Sequence, residues 1–190
     1  MNNFLVNGRP AFEVIQRRLM VLAVSFLFAG CIALTFAPAV RMHTLFTPLR
    51  WQHWIGFAVW FLGFSYLYKL ADRLIPERDP YLLPIISLMS GWGLLTLFRL
   101  DPNYGYKQTV WLALCLGLSA LGMKYKPILV VLRRYKYIWL TLALILAGLT
   151  FFLGTSPTGS GPTLWLQLGG IYFQPSEILK LVLVIYLAAY

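Results

Sequence analysis

The sequence predicts an all-α integral membrane protein: a polytopic helix bundle with five complete transmembrane helices and a truncated sixth. Three observations predict it. Of the 190 residues, 59% are hydrophobic and only 12% are charged, against about 25% charged and ~45–50% apolar in a typical soluble domain. The mean hydropathy is +0.71. The apolar residues also fall into long blocks between charged loops. A block of ~18 or more such residues crosses a ~30 Å hydrocarbon core as a helix rising about 1.5 Å per residue.

In order, the blocks are Leu19–Val40, Trp51–Ala71, Tyr81–Phe98, Gln108–Met123 and Tyr137–Gly154. A sixth opens at Pro175 and is still running at Tyr190. Arg17 and Arg18 precede the first block as they would a secretion signal. That block, however, exceeds the ~7–15 apolar residues of a signal, and no small-x-small cleavage site follows it cleanly, so it is read as a retained anchor. The fourth block is short, and its ends are expected to run into the flanking loops. Glycine and proline within the blocks, such as Gly30, Pro84 and Gly91, are ordinary in membrane helices, where neighbours re-satisfy the backbone.

The net charge of +10 raises the question of a nucleic-acid partner, and its distribution argues against one. With the N-terminus cytoplasmic, Arg9, Arg17, Arg18, Lys69, Arg73, Arg78, Lys124, Lys126, Arg133, Arg134 and Lys136 lie inside. Arg41, Arg50, Arg99 and Lys107 lie outside, and Lys180 is in the last segment. A bias of that size sets membrane orientation. The predicted location is the bacterial cytoplasmic (inner) membrane, with many passes. Within the inner set, Lys124–Tyr137 (KYKPILVVLRRYKY) reads as a short interfacial helix facing anionic lipid headgroups. Pro127 suits a first helical turn, and each basic residue near such a surface contributes about 1 kcal/mol.

Cys31 and Cys115 fall mid-span with no CxxC or nearby histidine pair, and are expected to be small packing residues. His43 and His53 are too isolated to suggest a metal site. No nucleotide loop, nucleophile elbow or zinc spacing is present, and no cofactor is visible.

The fifth span runs outward in this topology, which puts Thr155–Glu177 on the external face. The first half of that stretch is Gly/Ser/Pro/Thr-rich without Lys or Arg. The second, Leu164–Phe173, is apolar but too short to cross, the mark of a re-entrant or interfacial element. It leads into YFQPSEILK, Tyr172 to Lys180. Pro175 fits a first helical position, Glu177 sets a negative charge against the positive end of the helix dipole, and Lys180 lies on the same face three residues on. These residues can serve as a helix start with a neutralised ion pair. They can equally line a cavity or substrate path, because ionisable groups at membrane depth are expensive.

The stretch GPTLWLQLGGIYFQPSEILKLVLVIYLAAY resembles the signature of the SEDS family of shape, elongation, division and sporulation proteins (RodA, FtsW, SpoVE). Gly161, Trp165, Leu168, Gly169, Gln174, Pro175, Ser176, Glu177 and Lys180 fall in register with it. Upstream, Leu82–Gly117 is similar to the family's first core span, its external loop and the next span's opening, through Arg99, Leu100, Asp101, Gln108 and Trp111. The resemblance divides the chain into residues 1–80, an N-terminal extension with two spans, and residues 81–190, the N-terminal part of a family core. It departs at Leu164, where the family has arginine.

The resemblance implies a peptidoglycan glycosyltransferase of cell-wall biogenesis that polymerises lipid II during cell elongation or division. It also implies a single-span transpeptidase (penicillin-binding protein) as partner, and a divalent cation. The family's presumed catalytic aspartate belongs to a later external loop, so no catalytic residue is expected in this chain, which is read as a fragment. Trp165, Gln174, Pro175, Ser176, Glu177 and Lys180 are the expected substrate-binding residues. Two alternatives remain at this point: a lipid II transporter (flippase), and a non-catalytic membrane scaffold that packs partners against small-residue faces such as Leu88–Leu95.

Overall fold

The computed structural model of the chain describes residues 5–6, 9–43, 49–75, 78–156, 163–168 and 171–189. It is almost wholly helical and forms two compact units, Met1–Lys124 and Tyr125–Tyr190.

The first unit opens with a short antiparallel pair, β1 (Leu5–Val6) and β2 (Arg9–Pro10), which the sequence reading did not anticipate. Four helices follow: α1 (Ala11–Met42), α2 (His53–Leu74), α3 (Leu82–Leu100) and α4 (Pro102–Lys124). Helix α1 starts well before the predicted Leu19, taking in Glu13, Gln16, Arg17 and Arg18. Apolarity alone set the predicted boundary. The polar turns stay helical because Glu13 opposes the dipole in the first turn and Gln16 Oε1 accepts a 2.8 Å bond from Arg78 Nε. At its other end α1 stops at His43, whose φ of 52° is the left-handed conformation that ends many helices. Asp79 starts α3 by accepting from the backbone N–H of Tyr81 at 2.7 Å. Pro102 opens α4, and Asp101 accepts from Asn103 N at 2.8 Å.

Leu27 and Cys31 of α1, Trp60, Phe64 and Leu67 of α2, Leu94, Leu95 and Phe98 of α3 and Leu116 of α4 form the core of this unit. Lipid tails are as apolar as leucine, so close packing rather than water exclusion holds such helices together. Glycine makes it possible: a Cβ on Gly91 would run into Leu27 and lie 2.9 Å from Trp60 Nε1, and one on Gly56 would lie 2.5 Å from Phe98. Gly91 of the small-residue face is therefore used within the unit, while Gly93 beside it faces open space. Cys31 is buried, as a packing residue should be, but Cys115 is exposed. His53 is fully buried too, with Nε2 2.9 Å from Cys31 O and 3.2 Å from Thr35 Oγ1, so it knits α2 to α1.

The second unit comprises α5 (Lys126–Arg134), α6 (Lys136–Leu153), a hairpin of β3 (Leu166–Leu168) and β4 (Ile171–Phe173), and α7 (Pro175–Ala189). Of the helix expected over Lys124–Tyr137, Lys126–Arg134 is helical, and Tyr135 breaks it from α6. The apolar segment Leu164–Phe173 contributes the hairpin. At the far end of the α6–α7 pair, Lys136 Nζ donates to Ala189 O at 3.1 Å and Tyr137 meets Tyr186 edge-on at 5.6 Å.

Among the described residues, four helices are long and apolar enough to cross a membrane: Phe12–Met42, His53–Leu74, Leu82–Leu100 and Lys136–Leu153. The fourth predicted span is the exception. Its ends do extend into the loops, giving 23 residues and about 35 Å at ~1.5 Å per residue. Lys107, Gln108 and Thr109 near its start and Lys124 at its end leave α4 less apolar than those four.

Candidate functional site

The site is built where α6 hands over to α7. Helix α6 ends at Gly154, whose N–H bonds back to Thr150 O at 2.9 Å. The next residue, Thr155, pairs with Trp165: Thr155 N donates to Trp165 O at 2.6 Å, Trp165 N returns a bond to Thr155 O at 3.3 Å, and Thr155 Oγ1 also donates to Trp165 O at 3.1 Å. That bridge closes the loop, and the hairpin begins directly beyond it. Its antiparallel register sets Leu166 against Phe173, Gln167 against Tyr172 and Leu168 against Ile171. Continuing that register by one position brings Trp165 opposite Gln174. Two residues nine apart in sequence thus share one edge of the hairpin, at the N-terminus of α7.

Proline fixes φ and lacks an N–H, so Pro175 begins α7 without leaving a donor unpaired. It is fully buried. The first turn closes through a 3.1 Å bond from Glu177 N to Gln174 O. Glu177 and Lys180 pair at 2.7 Å, with their side chains 59% and 69% exposed. This is the pairing the spacing predicted. A carboxylate bound to an ammonium and open on the surface of its unit is poorly suited to take a proton from a substrate, since its charge is already matched. No hydrogen bond joins the side chain of Gln174 or Ser176 to another described residue, so amide and hydroxyl are free to meet a ligand.

All six expected binding residues therefore lie between the Thr155–Trp165 bridge and the second turn of α7. Gly161 and Gly169 of the signature lie outside the described residues, as does the loop 157–162. Sequence reasoning missed Thr155, the residue that anchors Trp165; its only signal was its position immediately after a span. Among the upstream residues, Arg99 accepts at its carbonyl from Arg50 Nη1 at 3.4 Å, and Trp111 and Gln108 are exposed. Among the described residues no group of three or more His, Cys, Asp or Glu could hold a metal ion.

Several apolar helices of spanning length among the described residues define a multi-pass membrane protein. The sequence pattern of the cell cycle protein family FtsW/RodA/SpoVE matches residues 83–190, and the chain belongs to that family. Over 91 residues, 47% of this chain and 23% of the relative, it is 38% identical to a probable peptidoglycan glycosyltransferase FtsW of Alcanivorax borkumensis. It is 30% identical over 146 residues to a peptidoglycan glycosyltransferase RodA of Mycobacterium leprae, covering 70% of this chain and 30% of that one. A RodA of Mycobacterium tuberculosis is 29% identical over 129 residues, 62% of this chain and 27% of the relative. The chain thus spans less than a third of the length of these relatives. No solved structure matches it.

Proposed function

We propose that the chain is part of a peptidoglycan glycosyltransferase of the inner membrane, N-terminus inside, that polymerises lipid II into glycan strands. The observation that carries this reading is the family match across residues 83–190, which contains the whole hairpin and QPSE turn. Here these residues bind rather than react. The Trp165 indole offers an apolar face to a sugar ring, and Gln174 and Ser176 supply hydrogen bonds. Pro175, buried, holds the turn. Lys180 faces the diphosphate of the polyprenyl carrier, with Glu177 fixing its position. The proton is taken by a group outside these residues. The divalent cation expected from the resemblance finds no donor set among the described residues, so no step is derived through it.

Residues 1–80 form an N-terminal extension to the core, and a single-span transpeptidase is the partner. Helix α5 lies at the inner headgroups, with Arg133 and Arg134 exposed toward anionic lipid. The full-length protein, purified and supplied with lipid II, is expected to yield glycan strands. Lipid II crossing a vesicle bilayer without strand formation would overturn the proposal in favour of transport. Glu177→Gln is expected to lower strand synthesis about tenfold while leaving the melting temperature nearly unchanged, because exposed ion pairs contribute only about 0–1 kcal/mol to stability. Wild-type rate and strand length would return the motif to a helix start alone.

A further inference from the structure

The first unit contains a groove of about 400 Å³ walled by α2, α3 and α4 and closed at one end by Gln16 of α1. That volume lies within the roughly 300–1,000 Å³ of ordinary ligand sites. Phe64, Leu67, Leu83, Leu112 and Leu116 give it apolar walls, while exposed Ile86 opens it sideways, toward where lipid chains would lie. The two hydroxyls along it make no demand on a ligand, because Ser90 donates to Ser87 O at 3.1 Å and Ser119 to Cys115 O at 2.8 Å.

The polar end is different. Gln16 is fully buried, and among the described residues its Nε2 has no hydrogen-bond partner. The 2.8 Å bond from Arg78 Nε identifies the facing amide atom as oxygen, so Nε2 is a true donor. A buried donor without an acceptor is costly, and native structures rarely leave one. Arg78 itself is occupied: it bonds Ala71 O, Ile75 O and, at 2.7 Å, Asp72 Oδ1. Its charge is matched, and Asp79 stands beside it at the groove. The end therefore asks for a neutral acceptor oxygen rather than a diphosphate, which would bring more negative charge next to two carboxylates.

We propose that this groove holds one acyl chain of a membrane glycerophospholipid, with a glycerol ester carbonyl accepting from Gln16 Nε2. The lipid belongs to the leaflet at the N-terminal end of α1, and it fastens the N-terminal helices α1 and α2 to α3 and α4. The inference goes beyond glycan synthesis and does not rest on it.

Native mass spectrometry of the full-length protein in mild detergent, with phosphatidylethanolamine and a polyprenyl diphosphate offered in competition, tests it. The wild type is expected to retain a single phospholipid. Gln16→Leu should weaken retention about tenfold, the worth of one hydrogen bond, and Ile86→Trp, which fills the groove from its open side, should abolish it. Retention of no phospholipid, preferential retention of the polyprenyl diphosphate, or phospholipid retention indifferent to both substitutions would overturn the proposal; in the last case water alone satisfies Gln16. Should Ile86→Trp fail to fold, phospholipid titration of the delipidated wild type decides the matter. A rise in melting temperature that Gln16→Leu diminishes supports the site, and no rise overturns it.

Discussion

Trp60→Ala is expected to destabilise the first unit by about 3–5 kcal/mol, the cost of truncating a buried tryptophan. Trp60 is 1% exposed, its Nε1 donates to Ser87 O at 2.8 Å, and its ring stacks on Phe57 at 5.7 Å. Helix α3 approaches it at Gly91, so the indole is the spacer on which α1, α2 and α3 close. The lost hydrogen bond is the smaller part, because Ser87 O sits inside a helix and keeps its position there. The cavity is the larger part: helices in lipid associate by packing, so an unfilled volume between them removes the contacts that hold them. Phe61→Ala is the control. Phe61 lies one residue on but is 41% exposed, and its truncation should cost far less. Thermal unfolding in detergent separates the two, and equal losses would show that Trp60 is not the spacer. Gly91→Val attacks the same seam from the other side and should cost about 1–3 kcal/mol by overpacking.

Much of this was legible in the sequence for a simple reason: a hydrocarbon solvent leaves few options. Long apolar blocks had to be helices, and the positions of α2, α3 and α6 follow directly. Errors arose wherever a polar residue had a partner distant in sequence. Gln16 precedes the predicted start at Leu19, and its bond from Arg78, 62 residues away, lets the helix begin earlier. The Glu177–Lys180 pair was legible because both partners lie within one helical turn. The hairpin was not. Leu164–Phe173 is apolar at nearly every position, without the alternation that marks a strand, and its register depends on Thr155 reaching Trp165 across a ten-residue gap. Such a closure has no local signature.

That closure makes Gly154→Ala the more severe test of the site. Gly154 has φ −64° and ψ 140°, a conformation open to any residue, so its requirement is for space and not for backbone freedom. An added Cβ would collide with the carbonyl groups of Thr163 and Thr150. Both are backbone atoms, so no side chain can rotate aside to make room. Either the last turn of α6 unwinds or the segment carrying Thr163 ahead of β3 moves off, and both outcomes break the Thr155–Trp165 bridge. Once it is broken, the start of the hairpin is no longer pinned to the end of α6, and Trp165 is free to leave its place opposite Gln174. Misplacing binding groups by about 1 Å can cost ~10²-fold in rate, so under the function proposed above a loss of that order in glycan synthesis by the full-length protein is expected. Thr155→Ala removes only the 3.1 Å hydroxyl bond and leaves the backbone pair, so its effect should be small. If Gly154→Ala worked at the wild-type rate, the bridge would not position Trp165, and the binding role would have to rest on the first turn of α7 alone.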